Sequence, residues 1–146
     1  MKREPESEAK RWLLQAKYDL NDADFSFEGE RFNLACFLSQ QAAEKALKAY
    51  LIANKKEPWG HSVAELCEDA SLVDEHFKNI KKRAATLDIY YIPTRYPNGL
   101  PGGIPSEVYQ KEDAQRALSI CNEVIDMVEK KIGKVKNVTK NTERGT

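Results

Sequence analysis

The chain has 146 residues, a length that fits one domain. Hydrophobic residues make up 41% and charged residues 32%, a balance that is typical of a soluble helical domain and too polar for a membrane protein. The 23 basic residues equal the 23 acidic residues in number, so the chain has no overall positive charge for nonspecific nucleic-acid binding. A local basic patch is compatible with this balance.

The beginning of the chain and its cysteines bear on location. No apolar run approaches the roughly 18 residues of a membrane span, so we expect no membrane association. The first residues, MKREPESEAKR, are charged and contain no apolar signal segment. Cys36, Cys67 and Cys121 form no CxxC pair, and each lies among apolar residues. We therefore expect reduced core thiols in a cytoplasmic protein, rather than disulfides or a zinc site.

Apolar residues at helical spacing predict two long helices at the start of the chain. The first covers residues 6–28, between Pro5 and Gly29, and the second covers residues 31–55. The short gap between them predicts an antiparallel hairpin. The expected core positions are Ala9, Trp12, Leu13, Ala16, Leu20, Ala23, Phe27, Leu34, Phe37, Leu38, Ala42, Ala46, Leu47 and Leu51.

Three further helices are predicted at about 62–70, 75–90 and 111–132. The first of these begins with Ser62 as N-cap and has Glu65 three residues later, the pattern of a capping box. No segment alternates with period two, so we predict an all-α, up-down bundle of about five helices. The expected core positions are Val63, Leu66, Cys67, Phe77, Ile80, Ala84, Leu87, Tyr91, Ala114, Ala117, Leu118, Cys121, Val124, Ile125 and Val128.

Two segments fall outside this pattern. Residues 134–146 are polar and without periodicity, which predicts a disordered tail after a single domain of residues 1–133. Residues 93–110 hold four of the six prolines and three of the seven glycines, and this connection is longer than the 2–8 residues or so that usually join bundle helices. Its prolines favour one ordered path. Since long ordered loops often carry function, a site is expected here first.

The loop contains a candidate recognition group, Arg95, whose backbone is restrained by a proline on either side. An arginine on a stiff loop can present two parallel donors to a phosphate or carboxylate. The aromatic rings close to Arg95 in sequence, which can stack on a base or on the guanidinium, are Tyr90, Tyr91 and Tyr96. The alternative is that Arg95 pairs with an acid such as Asp88 or Glu107, and that these tyrosines fill gaps over the core.

The second helix carries polar residues on one side. Gln40, Glu44 and Lys48 recur at every fourth position, and Gln41 and Lys45 lie on the adjacent strip. One interpretation is a solvated face stabilised by ion pairs. The other is a group of two glutamines and two lysines beside a phosphate site, and the pattern does not choose between them.

The two histidines lack the spacing of metal ligands, so no metal site is expected at His61 or His76. His61 either organises its loop through a hydrogen bond to the backbone or acts as a catalytic acid or base, since histidine titrates near neutrality. Other catalytic signatures, such as GxSxG, the GxxxxGK[ST] phosphate loop and GxGxxG after a strand, do not occur in the sequence.

Several segments resemble the HEPN domain family (higher eukaryotes and prokaryotes nucleotide-binding). In order, they are QQAAEKALKAYL, HSVAEL, YIPTRYP and EVYQKEDAQRAL, and AKYDLNDADF and FNLACFLSQQAAEKAL are similar to the family's first two helices. The resemblance extends from about residue 7 to residue 132. It implies a helical bundle that forms a homodimer, bringing two copies of the loop together. It also implies pairing with a minimal nucleotidyltransferase in a toxin–antitoxin-like system.

Many members of the HEPN family are metal-independent ribonucleases with an arginine followed four to six residues later by a histidine. No arginine stands at that spacing before His61 or His76, and Arg95 is followed by YPNGLPGG. The YIPTRYP segment is similar to the nucleotide-binding branch, which implies a non-catalytic module that needs no cofactor and takes ATP or GTP as ligand.

That likeness implies roles for individual residues. Arg95 and Tyr96 are the expected phosphate and base contacts, with Lys45 and Lys48 as supporting cations. The further nucleotide-binding candidates are His61, Tyr91 and Tyr109.

Two alternatives are kept. The first is a metal-independent ribonuclease in which His61 is the acid or base and Arg95 stabilises charge on the phosphorus centre, although RNA is not the favoured ligand. The second is a purely structural interaction protein whose loop contacts a partner.

Overall fold

The computed structural model of the protein describes residues 4–133. None of these residues forms a strand, which confirms the predicted all-α class. The predicted tail, 134–146, lies outside the described residues. Short 3-10 segments occur at Glu75–Phe77, Ala85–Tyr90 and Pro97–Gly99. The α-helices of the described range are α1 (Pro5–Glu28), α2 (Phe32–Ala53), α3 (Val63–Val73), α4 (Lys78–Ala84), α5 (Pro105–Val108) and α6 (Lys111–Ile132).

Helix α2 lies at the centre of the bundle. It forms an antiparallel hairpin with α1 and also packs against α3 and α6. Its sequence explains this position, because small side chains allow neighbouring helices to approach closely. Four alanines of α2 that have no exposed surface are Ala42, Ala43, Ala46 and Ala49.

The predicted core of α6 is confirmed, since all seven of its expected positions are buried. Leu34 of α2 was expected in the core but is 42% exposed, because it lies in a surface depression at the end of the α1–α2 hairpin, beside Phe25. Tyr90 is buried, whereas Tyr91, the expected core residue, is half-buried at the surface.

The predicted helix at 75–90 is divided into a 3-10 turn, α4 and a second 3-10 segment. The tighter winding of the last segment, residues 85–90, changes which side chains face inward, so that Leu87 and Tyr90 are buried. No helix in the described range is both long and apolar enough to cross a membrane.

Candidate functional site

The first part of the 93–110 loop is fixed against the bundle. Thr94 is only 1% exposed, and its hydroxyl donates a hydrogen bond to the Tyr90 carbonyl oxygen. The Asn33 side chain of α2 donates to the Thr94 carbonyl oxygen at 3.1 Å. Further along, the loop folds back, and a Cβ atom at Gly99 would lie 2.9 Å from the Pro93 Cα atom, so only glycine fits. These contacts determine where the backbone presents Arg95.

The Arg95 guanidinium is exposed and rests on aromatic rings. Its central carbon lies 4.3 Å from the Phe37 ring centroid, 5.0 Å from that of Tyr91 and 5.2 Å from that of Tyr96. Nε and one terminal nitrogen donate to the Tyr91 carbonyl oxygen at 3.0 and 2.8 Å. An arginine has five N–H donors, so three are left for an anion. The side chain is therefore oriented in advance by contacts that leave its positive charge uncompensated.

One interpretation of the sequence paired Asp88 with Arg95. In the structure, Asp88 instead caps the beginning of α3. Its carboxylate accepts from the Ser62 hydroxyl at 2.7 Å and from the Val63 amide at 2.6 Å. Ser62 is confirmed as the N-cap, because its oxygen accepts from the Glu65 amide at 3.1 Å. This junction fixes the backbone immediately after His61.

His61 lies between a buried carboxylate and an aromatic ring. Its Nδ1 atom is 3.1 Å from Oε2 of Glu44, and its ring stacks on Tyr91 with centroids 4.9 Å apart. The imidazole is 57% exposed, whereas the Glu44 side chain is 5% exposed. Because a carboxylate only accepts, Nδ1 carries the proton in the neutral ring and Nε2 is the basic nitrogen.

The polar side of α2 is a buried network and not a solvated face. Gln40 has no exposed surface, and its amide donates to Glu44 at 3.2 Å and to the His61 carbonyl oxygen at 3.0 Å. Gln41 donates to Gln40 Oε1 at 2.7 Å. Lys48 Nζ lies 3.0 Å from Glu44 Oε2, the same oxygen that faces His61. The network holds a histidine and a lysine on one carboxylate.

The structure brings together five of the seven predicted nucleotide-binding residues: Arg95, Tyr96, Tyr91, His61 and Lys48. We call this group the Arg95 cluster. The remaining two lie elsewhere. Lys45 pairs with Asp19 of α1 at 2.5 Å. Tyr109 packs edge-on against Tyr90 with centroids 6.0 Å apart, and burial raises the pKa of its hydroxyl.

The sequence analysis did not predict that two further residues, Phe37 and Glu44, contact the Arg95 cluster. Phe37 was assigned to the core but is half-buried beneath Arg95, and Glu44 was treated as one side of an ion pair. Their spacing held the signal, since Phe37, Gln41, Glu44 and Lys48 recur at steps of three and four on one side of α2.

The buried thiols are separate from the Arg95 cluster. Cys36, Cys67 and Cys121 are free and buried. Burial, followed by the charge of Asp113, raises the pKa of Cys36 to about 12. Within residues 4–133, no three His, Cys, Asp or Glu side chains are grouped to hold a metal ion.

Comparison with known families gives a match to the HEPN domain over residues 9–131. The chain belongs to the HEPN domain family. A relative from Methanocaldococcus jannaschii, named "Putative toxin MJ1304", is 27% identical over 129 residues, which cover 82% of this chain and 85% of the relative.

Solved structures of other proteins have the same fold. TT1696 from Thermus thermophilus is 38% identical, with a TM-score of 0.76, and the match covers 84% of this chain and 97% of that protein. ST0689, an archaeal HEPN homologue, is 35% identical, with a TM-score of 0.73, and the match covers 90% of this chain and 99% of that protein. The HEPN domain protein tm0613 from Thermotoga maritima is 30% identical, with a TM-score of 0.68, and the match covers 86% of this chain and 99% of that protein.

Proposed function

We propose that this HEPN protein is a non-catalytic module that binds a nucleotide, ATP or GTP, with the phosphates at the Arg95 cluster. The observation that carries the proposal is the Arg95 guanidinium. It is exposed, rests on three aromatic rings and keeps three donors for a ligand. A planar cation held in this way binds phosphate at little entropic cost, since its orientation is already fixed.

The neighbours of Arg95 suit the same ligand. The His61 imidazole is 57% exposed and keeps Nε2 as its basic nitrogen, and Lys48 adds an ammonium beside the shared carboxylate. Tyr96, which is 50% exposed, is one candidate for contact with the base. Stacking of bases on aromatic side chains is tolerant of base identity, which agrees with ATP and GTP both being ligands.

The module is further proposed to act in the cytoplasm as a homodimer paired with a minimal nucleotidyltransferase, in a toxin–antitoxin-like system. The support for this is membership in the HEPN family and the toxin name of the Methanocaldococcus jannaschii relative. Sedimentation of the purified protein tests the dimer, and joint purification with a nucleotidyltransferase encoded beside it tests the pair. A monomer at micromolar concentration, or separation of the two proteins on a column, contradicts these assignments.

Calorimetric titration of ATP and GTP tests nucleotide binding. We expect binding by the wild-type protein and its loss in Arg95→Ala and in the Arg95→Ala/Lys48→Ala double variant. Arg95→Lys is expected to restore little, because lysine cannot reproduce the flat stack and the paired donors. Arg116→Ala, at an exposed arginine of α6, is the matched control.

Flat titrations with the wild-type protein would contradict nucleotide binding, and unchanged affinity in the double variant would contradict the location. If titrations are flat while Arg95→Ala weakens retention of a protein partner, the loop is an interaction surface instead.

A second candidate function is a metal-independent ribonuclease, favoured by the pairing of His61 with buried Glu44 at 3.1 Å. In that case Nε2 of His61 accepts the proton of a ribose 2′-hydroxyl as the 2′-oxygen attacks phosphorus, and Arg95 stabilises the added negative charge. The bond from phosphorus to the 5′-oxygen of the next nucleotide then breaks, and the leaving 5′-oxygen takes a proton from water, which gives a 2′,3′-cyclic phosphate and a free 5′-hydroxyl. Cleavage of RNA in EDTA that His61→Ala abolishes would support this function. Absence of turnover on several RNAs would count against it.

A further inference from the structure

A groove beside the Arg95 cluster contains both tryptophans of the chain. Its volume is about 620 Å³, and it lies between α1, α2 and the segment that follows α2. We call it the tryptophan groove. The residues that matter for its chemistry are Trp12, Lys48, Ile52, Lys56, Glu57 and Trp59.

The two indoles are held differently. Trp59 is 78% exposed, so its indole ring presents a large apolar surface to solvent. Trp12 is half-buried, packs against the core and donates from Nε1 to a Glu8 carboxylate oxygen at 3.2 Å, so its ring orientation is fixed. A groove with one fixed ring and one exposed ring has the form of a stacking site for a flat apolar molecule.

The charges of the groove indicate which flat molecule fits. Lys48 Nζ lies 5.7 Å from the Trp12 ring centroid. In the part of the chain that the structure describes, the Lys56 ammonium has no carboxylate within ion-pair distance. Glu57 and Glu8 also line the groove and add carboxylate acceptors. The groove therefore offers ammonium groups to an anion and carboxylate oxygens to a donor such as an exocyclic amine.

Lys48 joins the groove to the Arg95 cluster. Its ammonium and the imidazole of His61 both contact Glu44 Oε2, at 3.0 and 3.1 Å. A ligand with a flat ring in the tryptophan groove therefore has Lys48, a member of the Arg95 cluster, beside it for its anionic groups. Few ligands other than a nucleotide combine a flat ring, an amine and a phosphate in this arrangement.

We propose that the tryptophan groove holds the base of the bound nucleotide, an adenine or guanine, and that Tyr96 does not. The inference rests on the proposed function, because it assigns the base end of a ligand whose phosphates lie at the Arg95 cluster. The exocyclic amine of the base donates to Glu57, and the flat ring contacts Trp12 and Trp59.

The test combines tryptophan fluorescence with calorimetry, using ATP as the probe and UTP for comparison. Trp12→Phe and Trp59→Phe each leave one indole, so each variant reports on one wall. We expect ATP to quench both variants, Trp59→Ala to bind ATP about tenfold more weakly, and UTP to bind more weakly than ATP because uracil has no exocyclic amine. Phe25→Ala is the matched control, since Phe25 is another exposed aromatic residue, 62% exposed, at the end of the α1–α2 hairpin.

Failure of this inference is distinguishable from failure of the proposed function. If calorimetry detects ATP binding that depends on Arg95 and Tyr96 but is unchanged in Trp59→Ala, the base lies outside the groove and the inference is wrong, while nucleotide binding stands. If the wild-type protein gives no heat with ATP or GTP and no quenching, both are wrong. Trp59 is exposed, so its replacement leaves the core intact.

Discussion

The Nδ1 atom of His61 lies 3.1 Å from Oε2 of Glu44, so a largely exposed imidazole is held by a carboxylate that is almost completely buried. The contact connects the segment before α3 to the middle of α2. Lys48 binds the same oxygen and supplies positive charge to a carboxylate that would otherwise be costly to bury. The pair thus serves folding and also determines which histidine nitrogen faces solvent.

Glu44→Gln is expected to destabilise the protein by about 3 kcal/mol, because it removes one partner of a buried ion pair and leaves the other uncompensated. Urea unfolding followed by circular dichroism measures the change. Glu68→Gln, which breaks the exposed ion pair with Lys81, is the control and should change stability little. Equal effects of the two substitutions would show that the Glu44 network contributes no more than a surface pair.

Gly99→Ala should weaken nucleotide binding while leaving the thermal unfolding of the bundle nearly unchanged. The added Cβ atom would lie 2.9 Å from the Pro93 Cα atom, so the loop must shift beside Arg95. Gly102→Ala is the matched control, because nothing lies within 4 Å of its added Cβ atom. Calorimetric titration of both variants with ATP decides the matter. Equal affinities would contradict the view that the close approach at Gly99 positions Arg95.

Asp88→Asn should lower the free energy of unfolding by about 1–2 kcal/mol, because an amide retains only one acceptor oxygen for the donors at the start of α3. Ser62→Ala should cost about 1 kcal/mol. The double variant should cost less than the sum of the two, since the residues share one hydrogen bond at 2.7 Å. Glu107→Gln, at an exposed position, should be neutral. Simple additivity in urea unfolding would contradict the shared cap.

The thiols should react slowly with a disulfide reagent at pH 8 in the folded protein and quickly in urea. Burial raises the pKa of Cys36 to about 12 and that of Cys67 to about 11, and it also raises the pKa of Cys121. The thiolate is the reactive form, so a raised pKa lowers reactivity. One thiol that reacts in the folded protein as fast as free cysteine would contradict its buried position.

The same pKa shifts predict the effect of alkaline pH on folding. Unfolded thiols ionise near pH 9, below the raised values of the folded state. Their contribution to stability is therefore fully present below about pH 9 and is lost as the pH rises towards 12. The midpoint temperature of unfolding should fall over this range. A flat profile would contradict the shift.

The helices could be predicted from the sequence because their signal is local. Helix α6 begins and ends at the predicted residues, 111 and 132, because its apolar side chains recur with a helical period and face the core from one side of the helix. The exposure of Leu34 could not be predicted in this way, because periodicity gives the direction of a side chain but not whether another element covers it.

The site could be predicted only in part. Arg95 was found because prolines restrain its segment, and this signal also lies within a few residues. Its contact with Phe37 and the pairing of Glu44 with His61 join residues far apart in sequence, and neither follows from a local pattern. The tryptophan groove was missed for the same reason, since Trp12 and Trp59 come together only after α1 and α2 have packed.

The burial of Thr94 attaches the beginning of the 93–110 loop to the bundle, and Pro105 is buried further along, whereas residues 101–104 between them are exposed. Beyond Gly99, the backbone around Gly102 has open space on its side-chain side. An epitope or a dye-bearing peptide inserted at that point should be tolerated, because exposed loop tips accept added chain. The protein could then be immobilised or labelled through its loop while Thr94 keeps Arg95 in position.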